Sequence, residues 1–173
     1  MKLLITGATG LVGKELVKKA QASGLEIHFL TTQQSKINSI DDAKGFYWNP
    51  ERQQIDTSCF EGVSTIVHLA GATISKRWTT AYKKTILSSR IQTTQLLFNR
   101  LNKLEGDHNV TQLVTASAIG VYPSDFDQTV DEKTQVAPNS FMEKVVIDWE
   151  QESDSFKTLG VKVNKLRIGL VLA

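Results

Sequence analysis

The chain opens with an apolar run, Leu3-Leu4-Ile5, that breaks at Gly7, Gly10 and Gly13 and resumes as Leu11, Val12, Leu16, Val17 and Ala20 among lysines. A short continuous apolar run is the pattern of a buried parallel strand, and recurrence at every third or fourth place is that of a helix with one covered face. The stretch predicts strand, turn and helix, with Val12, Leu16 and Ala20 as the covered stripe, Leu11 and Val17 alongside it, and Gly24 as the stop. Further apolar runs lie at Glu26–Thr31, Thr65–Gly71, Gln112–Ser117 and Val161–Leu172. The stretch Asn38 to Gly62 is less regular, with Gly45-Phe46-Tyr47-Trp48 as a short strand and Asn49-Pro50 as a turn, and adds an edge of the sheet. Two long helical patterns separate the later runs. Thr79 or Thr80 caps the first, with Tyr82, Ile86, Leu97 and Leu101 on one stripe and Leu87, Ile91 and Phe98 beside it. The second spans Phe141 to Phe156, with Phe141, Val145 and Trp149 on or near one face, and ends at Gly160. Strands alternating with helices predict an α/β fold, a doubly wound parallel sheet of six or seven strands with right-handed crossovers.

Composition narrows the function classes. A chain of 173 residues with 40% hydrophobic content carries one domain, residues 1–173, with a proper core. The formal net charge of +2 comes from balanced acids and bases without a long basic run, so no nucleic-acid or membrane partner is expected. Cys59 is the single cysteine, which excludes an intrachain disulfide and suits a reducing compartment; it reads as a small half-buried thiol. Met1 leads straight into the first strand, and no apolar stretch approaches the roughly 18 residues of a membrane span. The expectation is a soluble, cytoplasmic protein. No metal ligand set is assigned.

The chemistry begins at the three glycines. Gly7 lets the backbone turn where a side chain would clash, and Gly10 leaves room for a pyrophosphate to approach main-chain N–H groups at the positive end of the following helix. Gly13 lies inside that helix, where glycine costs about 1 kcal/mol relative to alanine, so close helix-to-strand approach is the expected compensation. This predicts a dinucleotide site involving Gly7, Thr9, Gly10, Leu11 and Val12, with Leu69, Ala70 and Gly71 as a second stretch of backbone against the cofactor. An acid at the end of the second strand would bind the ribose 2′-hydroxyl. The chain instead has Thr31-Thr32-Gln33-Gln34-Ser35-Lys36, so NADP is favoured over NAD, with Thr31 and Thr32 in contact; Lys36 reads equally as a solvated loop lysine. His68 lies inside an apolar run and reads as a hydrogen-bonded structural histidine rather than a catalytic one.

Thr-Gly-Ala-Thr-Gly-Leu-Val-Gly, residues 6–13, resembles the short-chain dehydrogenase/reductase superfamily, in particular its extended, epimerase-like branch. The stretch His68 to Trp78, followed by Lys84, Ser89-Arg90-Ile91, Thr93-Thr94 and the Arg167–Leu172 signature, is similar to the NAD(P)-dependent epimerase family proteins, over residue 2 to the end. The resemblance implies a Rossmann fold that binds NADP, with no settled substrate. It makes Ser117 the counterpart of the superfamily's catalytic serine. The usual tyrosine and lysine four residues apart are missing: Phe141 and Val145 stand there, while Ser140 and Lys144 keep only the spacing. Tyr122 is then the substitute proton donor, its alternative being a packed loop aromatic.

Arg90 takes the place where extended relatives often carry an asparagine. It reads either as a cofactor phosphate contact or as a strut to a carboxylate or carbonyl. Lys76 and Arg77 read as phosphate or acidic-substrate contacts, or equally as solvated cations. Extended relatives continue into a smaller carboxyl-terminal substrate domain, so the chain is expected to lack that domain and to expose apolar surface or bury it in a homo-oligomer. The expected function is an NADP-dependent oxidoreductase or epimerase on a small carbonyl or sugar-like substrate. The rival is a nucleotide-responsive binding or regulatory protein without efficient chemistry.

Overall fold

The computed structural model describes residues 1–123, 127 and 129–171. The start of the polar segment at Asp125 and the end of the last signature at Leu172 lie outside the described residues. The strands are β1 (Lys2–Thr6), β2 (Glu26–Thr31), β3 (Ala43–Asn49), β4 (Gln54–Ile55), β5 (Thr65–His68), β6 (Gln112–Ala118) and β7 (Lys162–Ile168). They form one sheet in the order β4-β3-β2-β1-β5-β6-β7, parallel throughout except where β4 runs against β3. Three α-helices, α1 (Leu11–Ala22), α2 (Thr80–Asn102) and α3 (Phe141–Asp154), complete the expected doubly wound α/β architecture.

Alternation along β1 divides the core. Leu3 and Ile5 pack with Val17 and Ala20 of α1 on one face, and Leu4 packs with Leu96, Leu97 and Leu101 of α2 on the other. The stripe of α1 follows the predicted one at Leu16, Val17 and Ala20 but not in its first turn. Gly13, Val17 and Ala20 are its buried positions, whereas Leu11 and Val12 are 51% and 39% exposed. The cause is steric: a Cβ on Gly13 would stand 2.1 Å from the Gly7 carbonyl oxygen, so the helix turns its glycine inward and seats its first turn against backbone.

The stretch from Asn38 to Gly62 adds the edge of the sheet, as expected, through β3 and β4. Strand β3 pairs with β2 over Ala43–Tyr47, which puts Phe46 opposite Leu30 and carries Phe46 and Trp48 into the α2-side core. The two-residue β4 borders it, with Trp48 paired to Ile55. Thr79 caps α2 by accepting the Tyr82 N–H at 3.2 Å. Two polar residues, Thr93 and Thr94, lie on the buried side of that helix. Helix α3 begins with a capping box the sequence analysis did not identify: Ser140 accepts the Glu143 N–H, and the Glu143 carboxylate accepts the N–H groups of Asn139 and Ser140. These backbone bonds hold the Glu143 carboxyl below its ordinary range. Cys59 is fully buried rather than half-buried, and burial pushes its thiol well up, away from reactivity.

Two expected outcomes follow from this packing. Gly13→Ala, favourable by helix propensity, is expected to destabilise the fold by at least ~2 kcal/mol in urea unfolding because its methyl meets backbone that cannot yield; a stabilised variant would refute the close contact. The second concerns pH. Burial lowers the pKa of both His28 and His68, the latter to about 4. The unfolded chain therefore takes up protons below about pH 6.5 that the native chain refuses, and stability falls with falling pH by ~2–3 kcal/mol between pH 7 and 4.5. Carboxylates with lowered pKa, such as Glu150 and Asp154, keep their contributions until the pH drops below about 4.5. A flat unfolding free energy over pH 7 to 4.5 would contradict neutral buried imidazoles.

Candidate cofactor and active site

Strands β1 and β5 are neighbours, yet β1 connects onward to β2 on one side and β5 to β6 on the other. A crevice opens beyond the carboxyl ends of strands at such a switch point. Gly7, with φ of 71°, makes the turn after β1, and a Cβ there would stand 3.1 Å from the Leu69 carbonyl carbon and 3.2 Å from the Ala70 nitrogen. The turn lies directly on the exit of β5. The Thr6 hydroxyl oxygen fastens that exit by accepting the N–H groups of Leu69 and Ala70, each at 3.0 Å.

Gly10 donates to the Gly7 carbonyl at 2.9 Å and occupies the N-cap position of α1 with no side-chain cap. The first-turn N–H groups of that helix thus lack an internal partner, beside a cleft of about 610 Å³ that Gly10 itself lines. A Cβ on Gly10 would meet nothing nearer than the Gly7 oxygen at 3.2 Å, so the space above it is open. Uncapped donors, a dipole end and free volume are the chemistry that a pyrophosphate requires, and the residues present fit a dinucleotide.

Of the residues expected at this site, Gly7, Thr9 and Gly10 form one lip, Ala70 and Gly71 a second, and Thr31 and Thr32 the far end with Gln33 and Lys36. Leu11 and Val12 stand on the exposed first turn of α1, and Leu69 is half-buried against the α1-side core. Arg90 lies behind Gly71. Its NH1 donates to the carbonyls of Ile86 at 2.9 Å and Ala72 at 3.3 Å, and its guanidinium sits 5.2 Å from the centre of the Trp149 ring. That geometry is the strut to backbone carbonyls, with burial lowering the guanidinium pKa. The sequence analysis missed Glu51, which the turn after β3 brings into the cleft wall with Trp48 and Asn49. The end of β2 carries no acid, but the cleft it faces does.

A second polar cluster, at the end of β6, is built from charges. Ser117, at the end of β6, is 4% exposed, and its hydroxyl donates to Glu150 of α3 at 2.5 Å. Arg167 of β7 grips the same carboxylate twice, from Nε at 2.9 Å and NH2 at 3.0 Å, and donates from NH1 to the Tyr122 phenol oxygen at 2.6 Å. The Tyr122 hydroxyl in turn donates to the Asp131 carbonyl at 2.8 Å. Burial raises the Glu150 carboxyl pKa, but bonds from Arg167 and Ser117 together with the charges of Arg167 and Lys165 outweigh it and hold the group ionised, below its ordinary range. Those bonds also raise the Arg167 pKa. Tyr122, Asp131, Glu132 and Arg167 border a separate hollow of about 520 Å³.

Ser117 and Tyr122 are thus brought into one network through Arg167 and Glu150, neither of which the sequence analysis placed at the site. A signal for Glu150 exists: Val146, Glu150 and Ser153 are spaced as one buried face of α3, and an acid there needs a partner. Ser140 and Lys144 do not replace the missing tyrosine and lysine. Ser140 is the cap of α3, and Lys144, largely exposed, pairs with Asp148 at 3.2 Å. Lys76 is exposed in the loop after β5, 5.5 Å from the centre of the Tyr82 ring. Among the described residues no group of three His, Cys, Asp or Glu side chains could hold a metal ion, and no helix is long and apolar enough to cross a membrane.

Comparison with known proteins agrees with this geometry. The NAD dependent epimerase/dehydratase family profile matches residues 3–153. An epimerase family protein of Staphylococcus saprophyticus is 38% identical over 175 residues, covering 98% of this chain and 55% of the relative. One from Staphylococcus haemolyticus is 37% identical over 172 residues, covering 99% and 56%. The chain thus spans about half the length of these curated relatives. Among solved structures, the human epimerase family protein SDR39U1 (isoform 2) with NADPH superposes with a TM-score of 0.78 at 23% identity, covering all of this chain and 55% of that one. MoeE5 in complex with UDP-glucose and NAD superposes with a TM-score of 0.76 at 21% identity, covering 96% and 54%. At those identities the likeness is one of fold.

Glu150→Gln keeps the shape of the clamp and removes its charge, leaving Arg167 half-buried without its partner. The expected loss is ~2–4 kcal/mol of unfolding free energy at pH 7. The carboxylate's contribution is present above about pH 4.5 and lost as the pH falls through its lowered native pKa, so variant and wild type should converge in acid. Equal stabilities at pH 7 would show that the clamp carries no weight.

Proposed function

Since the chain belongs to the NAD-dependent epimerase/dehydratase family, we propose that it binds NADP in the β1–β5 cleft and acts as an oxidoreductase or epimerase on a small carbonyl or sugar-like substrate. The observation that carries this reading is the uncapped first turn of α1 beside an open cleft, with Gly7 and Gly10 clearing the approach. A bound nicotinamide cofactor supplies hydride exchange at the substrate carbon. The chain's own residues supply the rest. Thr31, Thr32 and Lys36 favour the 2′-phosphate, against the opposing charge of Glu51 on the same cleft wall. NADPH in the human relative supports this preference, while NAD in MoeE5 shows that the same fold also serves the other cofactor.

In the proposed chemistry Tyr122 is the proton donor. Arg167 fixes its oxygen at 2.6 Å and stabilises negative charge on it, and its proton is held by a backbone carbonyl rather than by a side chain. Ser117 has given its one proton to Glu150, so it meets a substrate as a hydrogen-bond acceptor unless that bond is exchanged. This commitment of both hydroxyls to internal partners favours the second reading, a nucleotide-responsive binding protein with slow or lost chemistry.

Calorimetric titration is expected to show NADPH binding more tightly than NADH, with Gly10→Val abolishing both by filling the pyrophosphate space. Equal or tighter NADH binding would remove the preference. For turnover, NADPH oxidation with candidate carbonyl substrates should fall about 100- to 10,000-fold in Tyr122→Phe, the usual range for a lost general acid. It should also fall in Ser117→Ala and be unchanged in Lys144→Ala, with cofactor affinity retained in all three. Unchanged rates in the first two would take both residues out of the mechanism and leave the binding-protein reading.

A further inference from the structure

The carboxyl end of β5 holds a fully buried imidazole that the cleft chemistry does not touch. His68 Nδ1 lies 2.7 Å from Thr6 Oγ1, and its Nε2 lies 3.1 Å from Thr94 Oγ1 and 3.3 Å from Thr93 Oγ1. The neighbouring donors decide which ring nitrogen carries the proton. A hydroxyl has one hydrogen and two lone pairs. Both lone pairs of Thr6 are taken by the N–H groups of Leu69 and Ala70 at 3.0 Å each, so its hydrogen goes to Nδ1.

The far side of the ring gives the same answer independently. Thr93 donates its hydrogen to the Ser89 carbonyl at 2.7 Å, and Thr94 donates to the Arg90 carbonyl at 2.8 Å. Both threonine oxygens can therefore only accept from the ring, so Nε2 bears the hydrogen. The imidazole is neutral with Nδ1 bare, and desolvation, which lowers its pKa to about 4, keeps it so. Hydrogens run in one direction, from the Leu69 and Ala70 amides through Thr6, His68 and Thr94 to the Arg90 carbonyl in the middle of α2.

We propose that His68 is a positioning residue of the cofactor cleft: its bare Nδ1 orients the Thr6 hydroxyl, whose lone pairs then hold the Leu69 and Ala70 backbone on which the cofactor lies. Without that acceptor the Thr6 hydrogen must seek another and the hydroxyl rotates; the Leu69 amide keeps its 3.3 Å bond to the Thr6 carbonyl, so the Ala70 amide is the one released and its exchange is the diagnostic one. Gly7 has backbone clearance of only 3.1–3.2 Å from this same segment at its would-be Cβ, so a shift of residues 69–70 is felt at the glycine turn. The relay stands on protein atoms alone; its consequence for binding rests on the cofactor reading above.

The test separates the two. In the cofactor-free protein at pH 7, long-range 1H–15N correlation of the His68 ring is expected to show Nε2 protonated and Nδ1 bare, with a slowly exchanging amide at Ala70. A ring protonated on Nδ1, or an Ala70 amide that exchanges at once, overturns the proposal. His68→Asn retains an acceptor near the Nδ1 position, and His68→Leu removes it. NADPH affinity is expected to stay within about threefold of wild type in the first and to weaken about tenfold or more in the second, at similar losses of thermal stability. Equal affinity in the two variants overturns the proposal. Should His68→Leu fail to fold, protection of the Ala70 amide in His68→Asn decides: retained protection supports the relay, and lost protection refutes it. A wild-type chain that binds no NADPH sinks the cofactor reading, while the ring and amide measurements still judge the relay.

Discussion

A stack of backbone on backbone at the turn after β1 governs the cofactor half of this molecule. Helix α1 rests through Gly13 on the Gly7 carbonyl with no room for a side-chain atom, and Gly7, at a left-handed φ of 71°, rests on the exit of β5 with only 3.1–3.2 Å left for one. Once those two contacts exist, the rotation of α1 is set. Val17 and Ala20 must face the sheet, and Leu11 and Val12 must turn toward solvent at the rim of the cleft. The same stacking brings the uncapped helix end to the switch point of the sheet, so the packing solution and the anion-binding solution are one geometry.

The second half of the sheet is fastened differently. Ser117 of β6 and Arg167 of β7 are register partners, and both converge on Glu150 of α3. Lys165, two residues earlier on β7, reaches Asp154 one helical turn further along at 3.0 Å. A buried carboxylate clamped by a guanidinium contributes little net stability compared with well-packed apolar groups, but it penalises misplacement heavily. A slip of β7 by one residue would move Arg167 to the other face and leave Glu150 unpaired. The clamp therefore specifies register where apolar packing is thin: Leu166 of the same strand is 49% exposed and Ile119 at the end of β6 is 54% exposed.

Much of this was legible in the chain. The apolar runs gave β2 to the residue and β6 and β7 within a few, and three glycines located the turn, the cleft and the helix packing because each acts through local backbone geometry. His68 is the hydrogen-bonded structural histidine its place in an apolar run suggested. The errors have physical causes. Hydrophobicity alone places Leu11 and Val12 with the covered residues, but the buried position of the first turn is Gly13, which periodicity scores as neutral. The stretch around Phe46 is the sheet edge it reads as, but the burial of Phe46 and Trp48 depends on α2, far away in sequence. Glu51 escaped notice because the acid-free end of β2 was read along the chain, whereas the cleft wall is completed from the turn after β3.

The chemical end was the least legible, and the hydrogen bonds show why. Ser117 meets Glu150 across 33 residues, Arg167 meets Glu150 across 17, and Arg167 meets Tyr122 across 45. Nothing in the neighbourhood of any one of these side chains reveals its partner. The cofactor cleft, by contrast, is written mainly in main-chain atoms, so it survives wide variation in side chains provided the glycines remain. That difference fits a chain whose glycine turn is intact while, on the resemblance, Phe141 and Val145 are expected where a tyrosine and lysine would stand. Ser140 and Lys144, which keep the spacing, have been drawn into a helix cap and a surface ion pair. Polar groups freed from one role do not stay idle at a sheet edge: burial obliges them to find partners. Here the partners are Glu150 and Arg167, which makes the proton of Ser117 and the oxygen of Tyr122 two ends of one network rather than two independent groups.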